Sequence, residues 1–221
     1  MAVIHTSFRW EGGEVSGAWH RPQGAVRAAL ILAHGAGYGM NTRLLVDIAE
    51  ALSERRIAVL RFNFPYTEAG RRRPDPQPKL EACYRAVASA VAVEFERPFL
   101  GGKSMGGRIA SHLVADGFPA AGLLFLGYPL HPPGQPERVR DAHLRRIEAP
   151  MLFLQGTRDA FATPDLLHRT IGSLPGATLA ETAGGDHSFK VRGRATAEVT
   201  PELVEAIAAF INREAQRPAS R

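Results

Sequence analysis

Short apolar runs alternate with segments of helical periodicity along most of the chain, and this alternation limits the possible folds more than any other feature. The run Ala28–Ala33 is too short for a buried helix and is followed by a glycine-rich stretch, which is typical of a fully buried parallel strand. Five similar runs follow it, most of them separated by helical segments. This order predicts βαβ units built around a mostly parallel sheet.

The boundaries of the elements follow from the same periodicities. The predicted strands are Ile4–Trp10, Val15–Arg21, Ala28–Ala33, Ile57–Phe62, Phe99–Gly102, Ala121–Tyr128, Met151–Gln155 and Ala177–Thr182. The predicted helices are one capped by Asn41 that carries Leu44 to Leu52 on its apolar side, then Leu80–Phe95, Gly106–Ala115, Pro164–Leu174 and Glu198–Asn212. We expect the first two strands to form an antiparallel hairpin, and we expect a single domain over residues 1–213 with a frayed tail at 214–221.

Composition is that of an ordinary globular protein, with 45% hydrophobic and 22% charged residues. Cys83 is the single cysteine, so no internal disulfide can form. We find neither the apolar core of a secretory signal nor the roughly 20 apolar residues that span a bilayer. The expectation is a soluble, cytoplasmic protein that is not bound to a membrane, as a monomer or homodimer.

The formal net charge of +5 raises the question of a nucleic-acid partner. The excess arginines are dispersed along the chain, for example at 71–73 and 138–146, with few aromatic neighbours and no nucleic-acid-binding motif. Such charge favours solubility and does not determine fold. We therefore expect no nucleic-acid partner.

The segment Gly102-Lys103-Ser104-Met105-Gly106-Gly107 lies between a short predicted strand and a predicted helix. A nucleophilic serine on such a turn adopts a strained backbone, and small residues two positions before and after it allow close packing. The alternative is that Ser104 only caps a helix. A phosphate-binding P-loop is excluded, because Arg97 stands where that motif needs its first glycine.

A serine needs a base and an acid, and both candidates follow predicted strands. Asp159 comes after Met151–Gln155, and His187 comes after Ala177–Thr182. The carboxyl ends of parallel strands share one edge of a sheet, so we expect both residues near Ser104, with Asp159 orienting His187 as the general base. Asp186 is the competing acid, but adjacent side chains rarely face each other, so we expect it to shape the turn. Asp159 as a turn residue and His187 as an ordinary loop histidine remain alternatives.

Backbone donors for an oxyanion are predicted at two places. The first is the N–H of Met105, directly after the serine, and the second lies in the loop after Ala28–Ala33, where Ala36 is favoured over Gly35. A plain glycine turn is the alternative for that loop.

Five segments carry a resemblance to a known family: 32–37 (Leu-Ala-His-Gly-Ala-Gly), 60–62 (Leu-Arg-Phe), 101–106 (Gly-Gly-Lys-Ser-Met-Gly), 128–131 (Tyr-Pro-Leu-His) and 186–188 (Asp-His-Ser). In these the chain resembles α/β-hydrolases of the dienelactone-hydrolase-like group, and most closely the branch of the testis-expressed hydrolase-like proteins and of a nonspecific lethal chromatin-complex subunit. The resemblance implies an α/β-hydrolase fold and the same catalytic triad. It implies no substrate, and Ser104 stands where dienelactone hydrolase has cysteine. The predicted elements give a mostly parallel sheet of about seven to eight strands flanked by helices, and because this core uses about 200 residues we expect no cap domain.

These patterns together predict a serine hydrolase that forms an acyl-enzyme on Ser104 and cleaves a small or medium carboxylic ester, thioester or short amide. The substrate is expected to contact Tyr38, Phe64, Tyr128 and His131, unless these are simply solvated surface. We expect no cofactor and no metal, since no group of residues has ligand spacing. A non-catalytic hydrolase-like scaffold that binds another protein is the alternative function.

Overall fold

The structure, a computed structural model, describes residues 2–216. In that range eight strands form one sheet: β1 (Ala2–Trp10), β2 (Gly13–Arg21), β3 (Ala28–Ala33), β4 (Ile57–Phe62), β5 (Phe99–Lys103), β6 (Gly122–Leu126), β7 (Met151–Gly156) and β8 (Ala177–Thr182). The helices that flank it are α1 (Arg43–Glu54), α2 (Pro65–Glu68), α3 (Gln77–Ala92), α4 (Met105–Ala115), α5 (Pro164–Gly172) and α6 (Thr196–Ala215). The predicted fold class is therefore confirmed.

Strand order across the sheet is β1-β2-β4-β3-β5-β6-β7-β8. The hairpin β1–β2 and the pair β2–β4 are antiparallel, whereas all pairs from β4 to β8 are parallel. Parallel neighbours joined through helices bring their carboxyl ends to the same edge. That edge receives the loops that follow β3, β5, β7 and β8.

Both faces of the central strands are covered, which explains their nearly continuous apolar sequences. Because side chains alternate along a strand, Leu30 and Leu32 of β3 pack into one apolar cluster with α1 and α6. Ile31 of the same strand packs into the other cluster, on the side of α3 and α4. The core thus lies in two layers around a sheet held rigidly enough to fix its loops.

Several element ends differ from the sequence-based predictions. Asn41 does not cap α1: the N-cap residue is Thr42, whose side chain makes no capping hydrogen bond, while Oδ1 of Asn41 accepts a hydrogen bond from the buried guanidinium of Arg61. No element was predicted between β4 and α3, but this segment contains the one-turn helix α2. It begins at Pro65, a residue whose fixed φ suits a first helical position. A short 3₁₀ helix, Ala142–Arg146, was not predicted.

At the C-terminus α6 continues to Ala215, and residues 217–221 of the predicted tail lie outside the described residues. The predicted domain boundary at residue 213 stays a prediction. Within residues 2–216 no lid domain is inserted above the carboxyl edge of the sheet, and no helix is long and apolar enough to cross a membrane.

Candidate active site

Ser104 lies on the sharp turn between β5 and α4, with φ 50° and ψ −114°. Positive φ is unfavourable for a residue with a β-carbon, so the backbone is strained here as the sequence predicts. Close packing around the turn explains its glycines. A β-carbon on Gly102 would lie 2.4 Å from the carbonyl oxygen of Ala33, and one on Gly106 would lie 2.5 Å from the same atom.

The structure brings Ser104, His187 and Asp159 into one hydrogen-bonded chain. Oγ of Ser104 lies 2.9 Å from Nε2 of His187. On the other side of the ring, Nδ1 lies 2.7 Å from Oδ2 of Asp159. The three residues are far apart in sequence and meet because β5, β7 and β8 end at the same edge of the sheet.

The surroundings of Asp159 fix the tautomer of the histidine. Its side chain is fully buried and accepts hydrogen bonds from Nε2 of Gln155 at 2.5 Å and from the backbone N–H of Phe161 at 2.8 Å. A carboxylate oxygen accepts, so Nδ1 of His187 carries the hydrogen and donates a hydrogen bond to Asp159. Nε2 is then the unprotonated nitrogen, facing the hydroxyl of Ser104.

Two residues that support this chain were not identified from the sequence. Gln155 donates to Asp159 and accepts from the backbone N–H of Tyr128 at 2.8 Å. The ring of Phe161 covers that of His187, with centroids 4.2 Å apart and planes at 32°. Gln155 could have been noticed because it is a polar residue near the end of the otherwise apolar strand β7. Nothing in the sequence distinguishes Phe161.

Asp186 has a separate role. Its Oδ1 accepts the backbone N–H groups of Ser188 at 2.7 Å and Lys190 at 2.9 Å. The carboxylate therefore shapes the loop that carries His187, and the prediction that it forms the turn is confirmed.

The loop after β3, which holds the predicted oxyanion donors Ala36 and Gly35, passes next to the serine. A β-carbon on Gly35 would lie 3.6 Å from Cβ of Ser104. The loop is held by His34, whose Nε2 accepts the backbone N–H of Phe64 at 3.1 Å. Burial lowers the pKa of His34 to about 4, so the ring is neutral and can accept this bond. Met105, the other predicted donor, is the first residue of α4, where backbone N–H groups have no partner within the helix.

Three of the four predicted substrate contacts are buried in the core. Phe64, Tyr128 and His131 are at most 1% exposed. Phe64 packs between other aromatic rings of the core, the hydroxyl of Tyr128 donates to the carbonyl of Arg140, and Nε2 of His131 accepts the N–H of Thr163. The polar side-chain atoms of Tyr128 and His131 are thus hydrogen-bonded within the protein. Only Tyr38, at 61% exposed, lies at an open surface.

Tyr38 lines a cleft of about 240 Å³ that also borders Lys103, the residue directly before Ser104. The other lining residues come from the loop after β3, the start of α1, the end of β5 and the loop after β8: Gly35, Thr42, Leu44, Leu45, Lys103, Ser188 and Lys190. The cleft has an apolar wall and two lysines, and none of its lining residues is acidic. In the described part of the chain, no cluster of three or more potential metal ligands occurs.

Comparison with known proteins agrees with this geometry. A family model described as an alpha/beta hydrolase domain matches residues 26–213. Among solved structures, a serine hydrolase homologue from Coxiella burnetii is 20% identical, with a TM-score of 0.77 over 95% of this chain and 98% of that one. A serine hydrolase without a lid from Xanthomonas campestris is 21% identical (TM-score 0.76; 100% and 98% covered). A dienelactone hydrolase from Anabaena variabilis is 16% identical (TM-score 0.76; 96% and 97% covered). At these identities the structural matches show a shared fold.

Proposed function

Because the chain belongs to the alpha/beta hydrolase family, we propose that it is a serine hydrolase that cleaves carboxylic esters through an acyl-enzyme on Ser104. The observation that carries the proposal is the hydrogen-bonded chain from Ser104 through His187 to Asp159, with contacts of 2.9 and 2.7 Å. A serine hydroxyl becomes an effective nucleophile when a base in this position removes its proton.

In the first half of the reaction, Nε2 of His187 takes the proton from Ser104 as Oγ attacks the ester carbonyl carbon. The resulting tetrahedral intermediate collapses when the bond to the leaving oxygen breaks, and the imidazolium returns the proton to the departing alcohol. In the second half a water molecule replaces the alcohol: His187 removes its proton, the hydroxide oxygen attacks the acyl carbon, and Oγ leaves with the proton. Asp159 stabilises the imidazolium in both halves without taking a proton.

The negative charge on the carbonyl oxygen needs preorganised donors. We assign this role to the backbone N–H of Met105 at the start of α4, together with the N–H of Ala36 or Gly35. The N-terminus of a helix favours negative charge, which makes Met105 a suitable donor. One such donor contributes about 3–4 kcal/mol to stabilising the transition state.

The size and shape of the site support a small or medium substrate. The cleft of about 240 Å³, which is lined by Gly35 and by Lys103 before Ser104, has no lid domain above it within residues 2–216. Leu44, Leu45 and Tyr38 offer an apolar surface for a short acyl or alcohol group. Thioesters and short amides fit the same chemistry.

Labelling with a fluorophosphonate tests the proposal, since this reagent reacts only with an activated serine. We expect the wild type to be labelled and Ser104→Ala to remain unlabelled. Ser173→Ala, which removes an exposed hydroxyl at the end of α5, is the matched control and should be labelled like the wild type. If neither the wild type nor any variant is labelled, the non-catalytic scaffold becomes the better account.

A further inference from the structure

Lys103, the residue directly before the nucleophile, carries a buried ammonium without a hydrogen-bond partner. Among the described residues, only three buried side-chain nitrogen or oxygen atoms lack a partner: His20 Nδ1, Asp75 Oδ2 and Lys103 Nζ. Asp75 pairs through its other oxygen, and His20 through its other ring nitrogen. Lys103 is therefore the only one of the three whose single polar atom is left unsatisfied, which is costly for an ionisable group.

This ammonium borders a space that also adjoins the histidine of the hydrogen-bonded chain. Gly127 at the end of β6 has φ 68°, and a β-carbon there would lie 3.0 Å from Nζ of Lys103. The same point is 3.3 Å from the carbonyl oxygen of His187 and 3.4 Å from its Nδ1. Nζ and the protonated nitrogen of the imidazole thus border one small gap, which Gly127 leaves open.

The charges around this gap come from a few elements. The loop after β7 contributes Asp159, and the loop after β8 contributes Asp186, His187 and, at the rim of the cleft, Lys190. The end of β6 and the start of the loop after β3 present Gly127 and Gly35, which cannot titrate, and the phenol of Tyr38 lies at the outer rim. The ring of Phe189 lies 5.9 Å from Nζ.

Burial lowers the pKa of Lys103 to about 8, although Asp159 and Asp186 oppose that shift. The ammonium is therefore charged at neutral pH and loses its proton in mildly alkaline solution. Lysine is rare in this chain: it occurs only at positions 79, 103 and 190, and the rest of the 27 basic residues are arginines. An arginine at position 103 would stay charged at all working pH values, whereas lysine allows the charge to be lost.

We propose that Lys103 is a positioning residue of the active site, whose ammonium sets the charge balance of the His187–Asp159 pair. The inference rests on the proposed serine hydrolase function. The ammonium places a positive charge near the imidazole ring. The same charge opposes the imidazolium that forms during catalysis, and loss of the Lys103 proton removes that opposition.

The proposal predicts a particular pH profile of kcat/KM. For hydrolysis of p-nitrophenyl acetate between pH 5.5 and 9.5, the wild type should show two rising steps. The lower step reports loss of the proton that blocks the base, and the upper step, centred near pH 8 and about tenfold or less in height, reports deprotonation of Lys103.

Two variants separate charge from structure. Lys103→Met keeps the length of the side chain without the charge, and should reach the upper plateau of the wild type in one step, with no further rise near pH 8. Lys103→Arg keeps the charge throughout, and should give only the lower step. Lys103→Met should also unfold at a temperature no lower than the wild type at pH 7, because it removes an unpaired buried ammonium.

Lys79→Met is the matched control, since Lys79 pairs with Asp75 and lies over the ring of Trp10 in β1, and it should retain both steps. Ser104→Ala supplies the background rate at each pH. Superimposable single-step profiles for the wild type and Lys103→Met, with the serine still labelled by fluorophosphonate, would overturn this inference alone. Absence of both labelling and turnover in the wild type would remove it together with the proposed function.

Discussion

At the scale of single residues, the site depends on how Asp159 is held. The carboxylate of Asp159 accepts three hydrogen bonds, from the side chain of Gln155, the backbone N–H of Phe161 and the ring of His187. These contacts hold the carboxylate in the position from which it orients the ring. Asp186, next to His187 in sequence, uses its carboxylate on backbone N–H groups of its own loop.

These two carboxylates give a matched pair of variants. Asp159→Asn should lower kcat by roughly 10³- to 10⁴-fold while the protein stays folded, because the amide favours the wrong tautomer of His187. Asp186→Asn keeps an oxygen acceptor for the loop and should cost less than tenfold. Steady-state kinetics with p-nitrophenyl acetate, alongside thermal unfolding, measure both effects. A large loss for Asp186→Asn with little for Asp159→Asn would mean that the acid is misassigned.

Residues whose place is fixed by a strand end were predictable from sequence. Ser104, Asp159 and His187 each follow a recognisable strand, so topology alone predicts that they meet. Phe64 and Tyr128 also follow strands, yet they are buried, because the contacts that cover them come from distant segments that local patterns do not reveal. Lys103 was visible in the motif, but its position against Gly127 and His187 depends on how three loops pack.

At the scale of elements, the turn from β5 to α4 determines the position of Ser104. It requires close approach to β3, since a β-carbon on Gly106 would lie 2.5 Å from the carbonyl oxygen of Ala33 and 2.7 Å from that of His34. Both obstacles are backbone atoms of a central strand and its loop, so they cannot easily move aside.

Gly106→Ala should therefore destabilise the protein by about 1–3 kcal/mol and slow fluorophosphonate labelling, since relief of the clash moves α4 and Ser104. Gly172→Ala at the end of α5 is the control, because nothing lies within 4 Å of its new β-carbon. That variant should unfold at the wild-type temperature or slightly above it. Equal stability and equal labelling of the two variants would contradict the close packing at the turn.

Element types were better predicted from sequence than element ends. All eight strands were located from sequence, six of them by apolar runs, whereas the ends depend on contacts with distant segments. Asparagine often caps helices, but the side-chain oxygen of Asn41 accepts a hydrogen bond from the buried guanidinium of Arg61 in β4. The short helix α2 was missed because proline- and arginine-rich segments have no periodicity of their own.

At the scale of the whole molecule, the parallel part of the sheet is what makes the site possible. Three loops from β5, β7 and β8 reach one edge, and the loop after β3 passes beside the serine. The two layers of core on either side hold these loops at hydrogen-bonding distances. The central claim is that this edge forms a covalent acyl-enzyme on Ser104.

Mass spectrometry of the protein after rapid acid quenching tests that claim most directly. When the wild type is mixed with excess p-nitrophenyl acetate, the account predicts a burst of p-nitrophenolate and one acetyl group on the peptide that contains Ser104. The Ser104→Ala variant should show neither. Turnover by the wild type with no acetyl group on that peptide, or with the acetyl group on another residue, would contradict the account.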